Sequence, residues 1–189
     1  MPVPALAAAW TLTATGPTGF SGPGPSVSNG AGFQTGTYTL SESTGPAGYT
    51  ASAWVCVGGT QNDGDTVTLA AGQSAICTIF NNDNAPSLTL DKVVTNNNGG
   101  TALPSDWTLS AAGPTPLSGP GAAGSTDVAS GPSFAAGIYT LTESAGPAGY
   151  SAGAWGCTGG TLTGSSLVLA AGETASCSIT NTFTYGFLA

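Results

Sequence analysis

The segment GTYTLSESTGPAGYTASAWVCVGGT, residues 36–60, returns later in the chain as GIYTLTESAGPAGYSAGAWGCTGGT, residues 137–161. Two further blocks repeat at nearly the same spacing, residues 69–81 with 169–181 and residues 10–17 with 107–114. Self-similarity at a fixed spacing is typical of a duplicated structural unit. The sequence therefore predicts two tandem modules, residues 1–84 and 85–189.

Each copy is built from short blocks of β-branched and aromatic residues that are separated by glycine- and proline-rich turns. Trp-Thr-Leu, Tyr-Thr-Leu, Trp-x-Cys, Val-x-Leu and Cys-x-Ile each predict a strand, and no long stretch has helical periodicity. The pattern predicts an all-β protein of two small β-sandwiches. The copies differ in length within residues 16–36 and 113–137, which we predict to be surface loops, and residues 81–86 (NNDNAP) are the natural linker.

The charge composition excludes several classes of function. The net charge is −8, with one lysine and no arginine or histidine. Such a chain cannot neutralise a row of phosphates, so nucleic acid is not an expected partner. Lacking histidine, it has neither a Ser–His pair nor the commonest metal ligand, and no apolar run approaches the ~18 residues of a membrane span. We therefore expect that the protein is not an enzyme and that it binds neither a cofactor nor a metal. We interpret NDGD (62–65) as a hairpin turn rather than a calcium loop.

Four cysteines, two in each copy, permit three disulfide connectivities. Repetition favours pairing within each module, Cys56 with Cys77 and Cys157 with Cys177. Free or metal-binding thiols are the alternative, although the chain has no Cys-x-x-Cys motif. Disulfides would indicate an oxidising, exported location.

The repeated block around the Tyr-Thr-Leu strand resembles the E-box of SpaA-like, Cna protein B-type domains of bacterial surface proteins. The family pattern is Tyr-x-Leu-x-Glu-x-x-x-Pro-x-Gly-Tyr. It is matched in the second copy by Tyr139, Leu141, Glu143, Pro147, Gly149 and Tyr150, and in the first by Tyr38, Leu40, Glu42, Pro46, Gly48 and Tyr49. The resemblance implies an Ig-like, prealbumin-like β-sandwich in each module and an extracellular location at the bacterial cell surface.

Members of this family often contain an intramolecular isopeptide bond between a lysine and an asparagine, with the E-box glutamate as proton shuttle. By resemblance, the three residues here are Lys92, Asn181 and Glu143. The first module retains Glu42 and Asn81 but has no lysine.

Strand alternation supports this placement. Lys92, Glu143 and Asn181 each fall on the more apolar face of their predicted strand. Burial lowers the pKa of a lysine and raises that of a carboxyl, and a neutral amine is a nucleophile. The alternatives are a buried Lys92–Glu143 ion pair or a lysine that extends to solvent at the strand end.

The repeat also shows that the predicted strand Leu88–Val94 has no counterpart before Trp10 in the first copy. The C-terminal tail places Leu188 at the position of Leu88, one repeat later. One hypothesis is that each tail supplies the missing strand to the first module of a neighbouring copy, and its alternating aromatic anchors would be Phe183, Tyr185 and Phe187. The alternatives are a segment of a longer repeat array and a first strand that lies upstream.

We therefore predict a structural extracellular protein, a stalk or pilus-like filament subunit whose partners are copies of itself. The alternative is an adhesin or carbohydrate-binding surface module that holds a glycan with the variable loops 16–36 and 113–137.

Overall fold

The computed structural model describes residues 5–184, and in this range the protein is all-β apart from a few short 3-10 turns. The chain divides into two compact units, with the boundary between Asp83 and Asn84. Both units have the prealbumin-like sandwich architecture that the sequence predicted. Within the described range, no helix is long and apolar enough to cross a membrane.

The first module has one five-stranded sheet, in the order β2-β1-β3-β7-β6, and two two-stranded ribbons, β4-β9 and β5-β8. All of its pairs are antiparallel. Its strands are β1 (Thr11–Thr15), β2 (Phe20–Pro23), β3 (Gly36–Glu42), β4 (Tyr49–Ala51), β5 (Val55–Gly58), β6 (Thr60–Gln61), β7 (Thr66–Leu69), β8 (Ala75–Thr78) and β9 (Asn81–Asp83).

The second module has the equivalent five-stranded sheet, β12-β11-β13-β16-β15, which faces a three-stranded sheet, β10-β17-β14. Strand β10 runs parallel to β17, whereas β14 is antiparallel to it. Its strands are β10 (Ser87–Thr95), β11 (Thr108–Ala112), β12 (Leu117–Pro120), β13 (Gly137–Glu143), β14 (Tyr150–Thr158), β15 (Thr161–Thr163), β16 (Ser166–Leu169) and β17 (Thr174–Phe183).

The Tyr-Thr-Leu block forms a strand because its apolar residues alternate with polar ones. In β13, Tyr139 and Leu141 are buried, while Ile138 and Thr140 lie on the exposed face. The phenol of Tyr139 donates a 2.6 Å hydrogen bond to the carbonyl oxygen of Ala135, so its polar end is satisfied although the ring lies in the core. This is the two-residue period expected of a sheet with one buried face.

The turn after the E-box glutamate depends on a close approach of backbone to an aromatic ring. A Cβ added at Gly146 would lie 2.0 Å from Nε1 of Trp107, and one added at Gly45 would lie 2.0 Å from Nε1 of Trp10. Gly149 follows with φ of 86°, in the region that disfavours any residue with a Cβ. The tryptophans therefore belong to the core beneath this turn, and Trp107 is 2% exposed.

Each module contains one intramodule disulfide, Cys56–Cys77 or Cys157–Cys177. In both cases the two cysteines are directly opposite one another on neighbouring antiparallel strands. The disulfide thus fastens β5 to β8 in the first module and β14 to β17 in the second.

Two expectations about loops were wrong. The segments predicted to be loops, residues 16–36 and 113–137, include the edge strands β2 and β12, and both strands end in proline. An edge strand tolerates proline because the backbone on its outer side makes no hydrogen bonds to a neighbouring strand. The expected linker 81–86 begins with β9, whose pairing with β4 extends the first module to Asp83. The Gly/Pro composition hid β2 and β12 from sequence reasoning, and the turn-forming Asn and Asp residues hid β9.

Candidate functional site

Strand β10 places the chain's one lysine, Lys92, inside the sandwich of the second module. Leu88 and Leu90, on the same face as Lys92, are 0% and 1% exposed. On its inner edge β10 pairs in parallel with β17, and on its outer side Leu88 exchanges two 2.8 Å hydrogen bonds with Ser130. The strand is therefore held from both sides, and its alternation directs the lysine inward.

Lys92, Glu143 and Asn181 meet within the sandwich, so the structure brings together the three residues that the sequence placed on inward faces. Nζ of Lys92 donates to Oε2 of Glu143 at 2.8 Å, and Nδ2 of Asn181 donates to Oε1 of the same carboxylate at 3.1 Å. The side chain of Lys92 is 0% exposed and that of Glu143 is 12% exposed. The glutamate thus bridges the amine and the amide.

The surroundings of the ammonium are largely apolar. Burial lowers the pKa of Lys92 below its ordinary value, and this desolvation outweighs the opposing effect of its hydrogen bond and charge interaction with Glu143. The ring of Trp107 lies 4.9 Å from Nζ, and the carbonyl oxygen of Ile179 lies 3.5 Å away. The side-chain oxygen of Asn181 is buried and has no hydrogen-bond partner among the described residues.

This arrangement is suited to forming an amide. Transfer of a proton along the 2.8 Å contact leaves Lys92 neutral and Glu143 protonated, without changing the number of protons held by the pair. The free electron pair of Nζ can then attack Cγ of Asn181, and negative charge develops on the side-chain oxygen, which has no hydrogen-bond donor among the described residues. Glu143 would return a proton to the leaving nitrogen and take up the proton that Nζ loses as the amide forms, so that one ammonia departs and the carboxyl ends protonated.

The first module contains the same glutamate and asparagine without the lysine. Nδ2 of Asn81 donates to Oε2 of Glu42 at 2.9 Å, the contact that Asn181 makes in the second copy. Within residues 5–184, β8 pairs only with β5 and β9 only with β4, so the edge that β10 occupies in the second module has no partner. A cavity of about 790 Å³ opens there, lined by the inner faces of both layers.

The unpaired edge changes the exposure of equivalent core residues. Leu40 is 9% exposed, whereas its counterpart Leu141 is 1% exposed. Cys77 is half-buried, whereas Cys177 is 0% exposed. We call this cavity, bounded by the edge of β8 and β9, the strand groove.

The proposed tail anchors are only partly within the described residues. Phe183 ends β17 and packs on Tyr150 of its own module, with ring centroids 5.1 Å apart. Tyr185 and Phe187 lie outside the described residues. Phe183 is therefore engaged within the second module rather than projecting from it.

Sequence reasoning missed two parts of the site. The ring of Trp107 lies beside the lysine as well as in the core. Ser130, which holds the outer side of β10, lies in a segment predicted to be a surface loop. Neither role has a local sequence signal, because each depends on a contact between segments that are distant in the chain.

Comparison with known proteins gives a family and a distant structural likeness. The model of the prealbumin-like fold domain, of SpaA type, matches residues 3–79 and again residues 83–179. No curated protein sequence matches the chain. A solved structure, the Bacillus anthracis TIE protein, aligns with 92% of this chain and 34% of its own length, at 15% identity and a TM-score of 0.33. The chain thus spans about a third of that protein. With both of its repeats matched by the same family model, the chain belongs to the SpaA-type prealbumin-like fold domain family.

Proposed function

We propose that this protein is a structural subunit of a bacterial cell surface, a stalk or filament component that joins copies of itself. The family supports a surface or pilus-type role, and the two disulfides suit an exported protein. The described residues include no cluster that could hold a metal ion. The chemistry at Lys92 modifies the protein itself, so a load-bearing role fits it better than turnover of a substrate.

Within the second module, we propose that Lys92 and Asn181 become joined by an amide bond. The 2.8 Å and 3.1 Å contacts to Glu143 support this reaction, as does the lowered pKa of the lysine. The bond would connect β10 to the end of β17, which lie side by side in parallel. A pulling force along these strands would then act on a covalent bond rather than on the ladder of hydrogen bonds alone.

Between molecules, we propose that the first module takes up a strand from the C-terminal tail of a neighbouring copy. The observation that carries this proposal is the strand groove, which lies where the second module holds its own β10. Two leucines on β10 are almost completely buried, and burying a leucine contributes about 1.5–3 kcal/mol. A donated strand with apolar residues in the same register would gain comparable burial and would complete the sheet edge.

Because Phe183 packs within its own module, the donated segment would begin after Thr184. A head-to-tail contact of this kind does not close on itself, so it generates a linear polymer.

Self-association of the pure protein tests the proposal. Analytical ultracentrifugation and negative-stain microscopy of the full chain should show oligomers that lengthen with concentration. A chain that ends at Thr184 retains all the described contacts and should remain monomeric. Excess synthetic peptide of residues 182–189 should shorten the oligomers. A full chain that is monomeric at every concentration would exclude strand donation by the tail.

A further inference from the structure

We propose that the first module has a second self-association surface, on the outer side of the β5–β8 ribbon, through which two polymers of this chain pair side by side. This surface, which we call the outer ribbon face, is formed by the outward side chains of Val55, Val57, Ile76, Thr78 and Phe80. The inference rests on the proposed function, because it needs a polymer that repeats the face. It goes further by assigning the contact between polymers.

The alternation of side chains along β8 produces this face. Ala75, Cys77 and Ile79 pack against the core of the first module. Ile76 and Phe80 alternate with them and are 75% and 65% exposed. A strand with one buried face ordinarily carries polar residues on the other. This segment instead presents apolar side chains to the core and to solvent.

The apolar residues of the face are contiguous. Val57 of β5 lies directly opposite Ile76 of β8, and Val55 lies opposite Thr78. Val57 is 75% exposed and Val55 is 57% exposed. Four apolar side chains at these exposures present on the order of 400 Å² of apolar surface, which is within the range of the largest patches that monomeric proteins expose. Patches of this size are often functional.

The second module shows that the strand pairing does not require these residues. Cys157 lies opposite Cys177 as Cys56 lies opposite Cys77, so the two pairs of strands have the same register. Counted from these cysteines, the four apolar positions are occupied in the second module by small residues, three of them with hydroxyl groups: Gly156, Thr158, Ser176 and Thr180. Folding therefore does not account for the apolar side chains of the first module, whereas contact with another surface does.

The chemistry of the face indicates a second copy of the chain as its partner. None of its side chains is charged, whereas each chain has a net charge of −8. Two copies thus meet with the least repulsion at this face, and a charged partner finds no complementary group there. The same face on two molecules matches itself about a two-fold axis, the commonest symmetry between identical subunits.

The outer ribbon face is next to the strand groove but is not covered when the groove is filled. A donated strand pairs with the edge of β8 and packs its side chains beside Ala75, Cys77 and Ile79, on the inner side of the ribbon. The outer side remains in solvent. Every subunit of the polymer therefore presents one such face.

The area of the face explains why a polymer is needed. Pairing two faces buries on the order of 800 Å² in total, below the roughly 1,200–2,000 Å² of a stable interface. An isolated pair therefore dissociates, and a chain that ends at Thr184 stays monomeric. Once one pair of faces is in contact, the neighbouring faces of two polymers are held at a high effective concentration, so repetition compensates for the weakness of each contact. A second polymer has the matching spacing because it is built from the same subunits.

The test compares polymers of the native chain with those of the V57T/I76S/F80T variant. These substitutions introduce the residues that the second module has at the same positions, so they are compatible with the strand pairing. Binding of the tail peptide, residues 182–189, measured by fluorescence anisotropy, checks that the groove is intact. The matched control is V93T/I138T, which removes two exposed apolar residues of the second module. Negative-stain microscopy measures filament width and length, and low-speed centrifugation measures the fraction of protein in bundles.

We expect filaments of the native chain and of the V93T/I138T control to associate side by side. The V57T/I76S/F80T variant should form single filaments of native length, and its sedimenting fraction should fall at least about tenfold, because small losses at each contact multiply along a polymer. Added salt should increase side-by-side association of the native filaments, since it screens the repulsion between chains of equal charge.

Three results would overturn the proposal in different ways. If native filaments stay single at every salt concentration, or if the variant bundles as the native chain does, the outer ribbon face is not the lateral contact, while strand donation stands. If the variant's filaments are shorter although the tail peptide binds normally, the face contacts the strand donor within one polymer instead. If the full chain forms no polymer, lateral pairing and strand donation both fail.

Discussion

Replacing Asn181 by alanine tests the proposed internal amide most directly. The substitution removes the electrophile but leaves the 2.8 Å ion pair of Lys92 and Glu143 in place, so no buried charge is left without its partner. It also removes one hydrogen bond to Glu143. The matched control is N81A in the first module, which removes the equivalent hydrogen bond where no lysine is present.

The expected loss follows from loop closure. Lys92 and Asn181 are 89 positions apart (181 − 92), and the second module's disulfide already closes 20 of these. In the chain-entropy model, linking the remaining loop of about 70 residues contributes about 4 kcal/mol. N81A removes a hydrogen bond to a carboxylate, which costs at most about 2 kcal/mol at this more exposed site. In the crosslinked native chain Nδ2 of Asn181 has left as ammonia, so this hydrogen bond adds nothing to the cost of N181A. N181A should therefore lose about 4 kcal/mol, and N81A about 2 kcal/mol or less.

Hydrogen exchange with peptic mapping can measure each module within the intact chain. A loss of 4 kcal/mol corresponds to a nearly thousandfold fall in the protection of β17. The fall in β8 caused by N81A should be much smaller. Intact mass gives the direct check, since the native chain should be one ammonia lighter than its sequence requires, beyond the hydrogens lost to disulfides. If both variants lower protection equally and the native mass is unshifted, the internal amide does not form.

The N181A variant should also show a characteristic pH dependence of stability in urea. Because the pKa of Lys92 is lowered in the native state, its contribution is fully present above pH 10.5 and is lost as the pH falls through that lowered value. Burial raises the pKa of Tyr139, whose contribution is present below pH 10.0 and is lost as the pH rises through the raised value. The unfolding free energy should thus rise with pH between the lowered pKa of Lys92 and 10.0, and it should fall above 10.5, where only the contribution of Tyr139 is still being lost; a K92M/N181A double variant should lack the rise, and a flat profile in N181A would contradict the assigned environment of the lysine. The double variant C157A/C177A should lose about 3 kcal/mol by denaturant unfolding, because the loop spans 20 residues, and the equivalent change in the first module, with a span of 21, should cost nearly the same. A loss below about 1 kcal/mol in either module would show that the bridge constrains the unfolded chain less than this model requires.

Much of the fold could be predicted because its signals are local and occur twice. The alternation in the Tyr-Thr-Leu block identifies a strand with one buried face, and the duplication shows that the block belongs to a repeated unit. The inward direction of Lys92 also follows from the sequence, because the two-residue period of a strand determines which side chains share its face with Leu88 and Leu90.

The two edge strands and β9 could not be predicted in this way. A strand rich in glycine and proline, as β2 and β12 are, or in asparagine and aspartate, as β9 is, resembles a loop unless its neighbour is known, since its hydrogen bonds are made to a segment elsewhere in the chain. The same limit applied to Ser130 and to the second role of Trp107. Each acquires its contact only when the two layers have packed.

The sequence alone determined the duplication, the all-β class and the choice of residues that could react. Only the tertiary structure decided that the same Glu–Asn pair is enclosed with an amine in one module and opens into a groove in the other. The physical reason is that burial belongs to the assembled sandwich. One parallel strand beside β17 excludes water from the second site. Among the described residues of the first module, no strand pairs with the equivalent edge of β8.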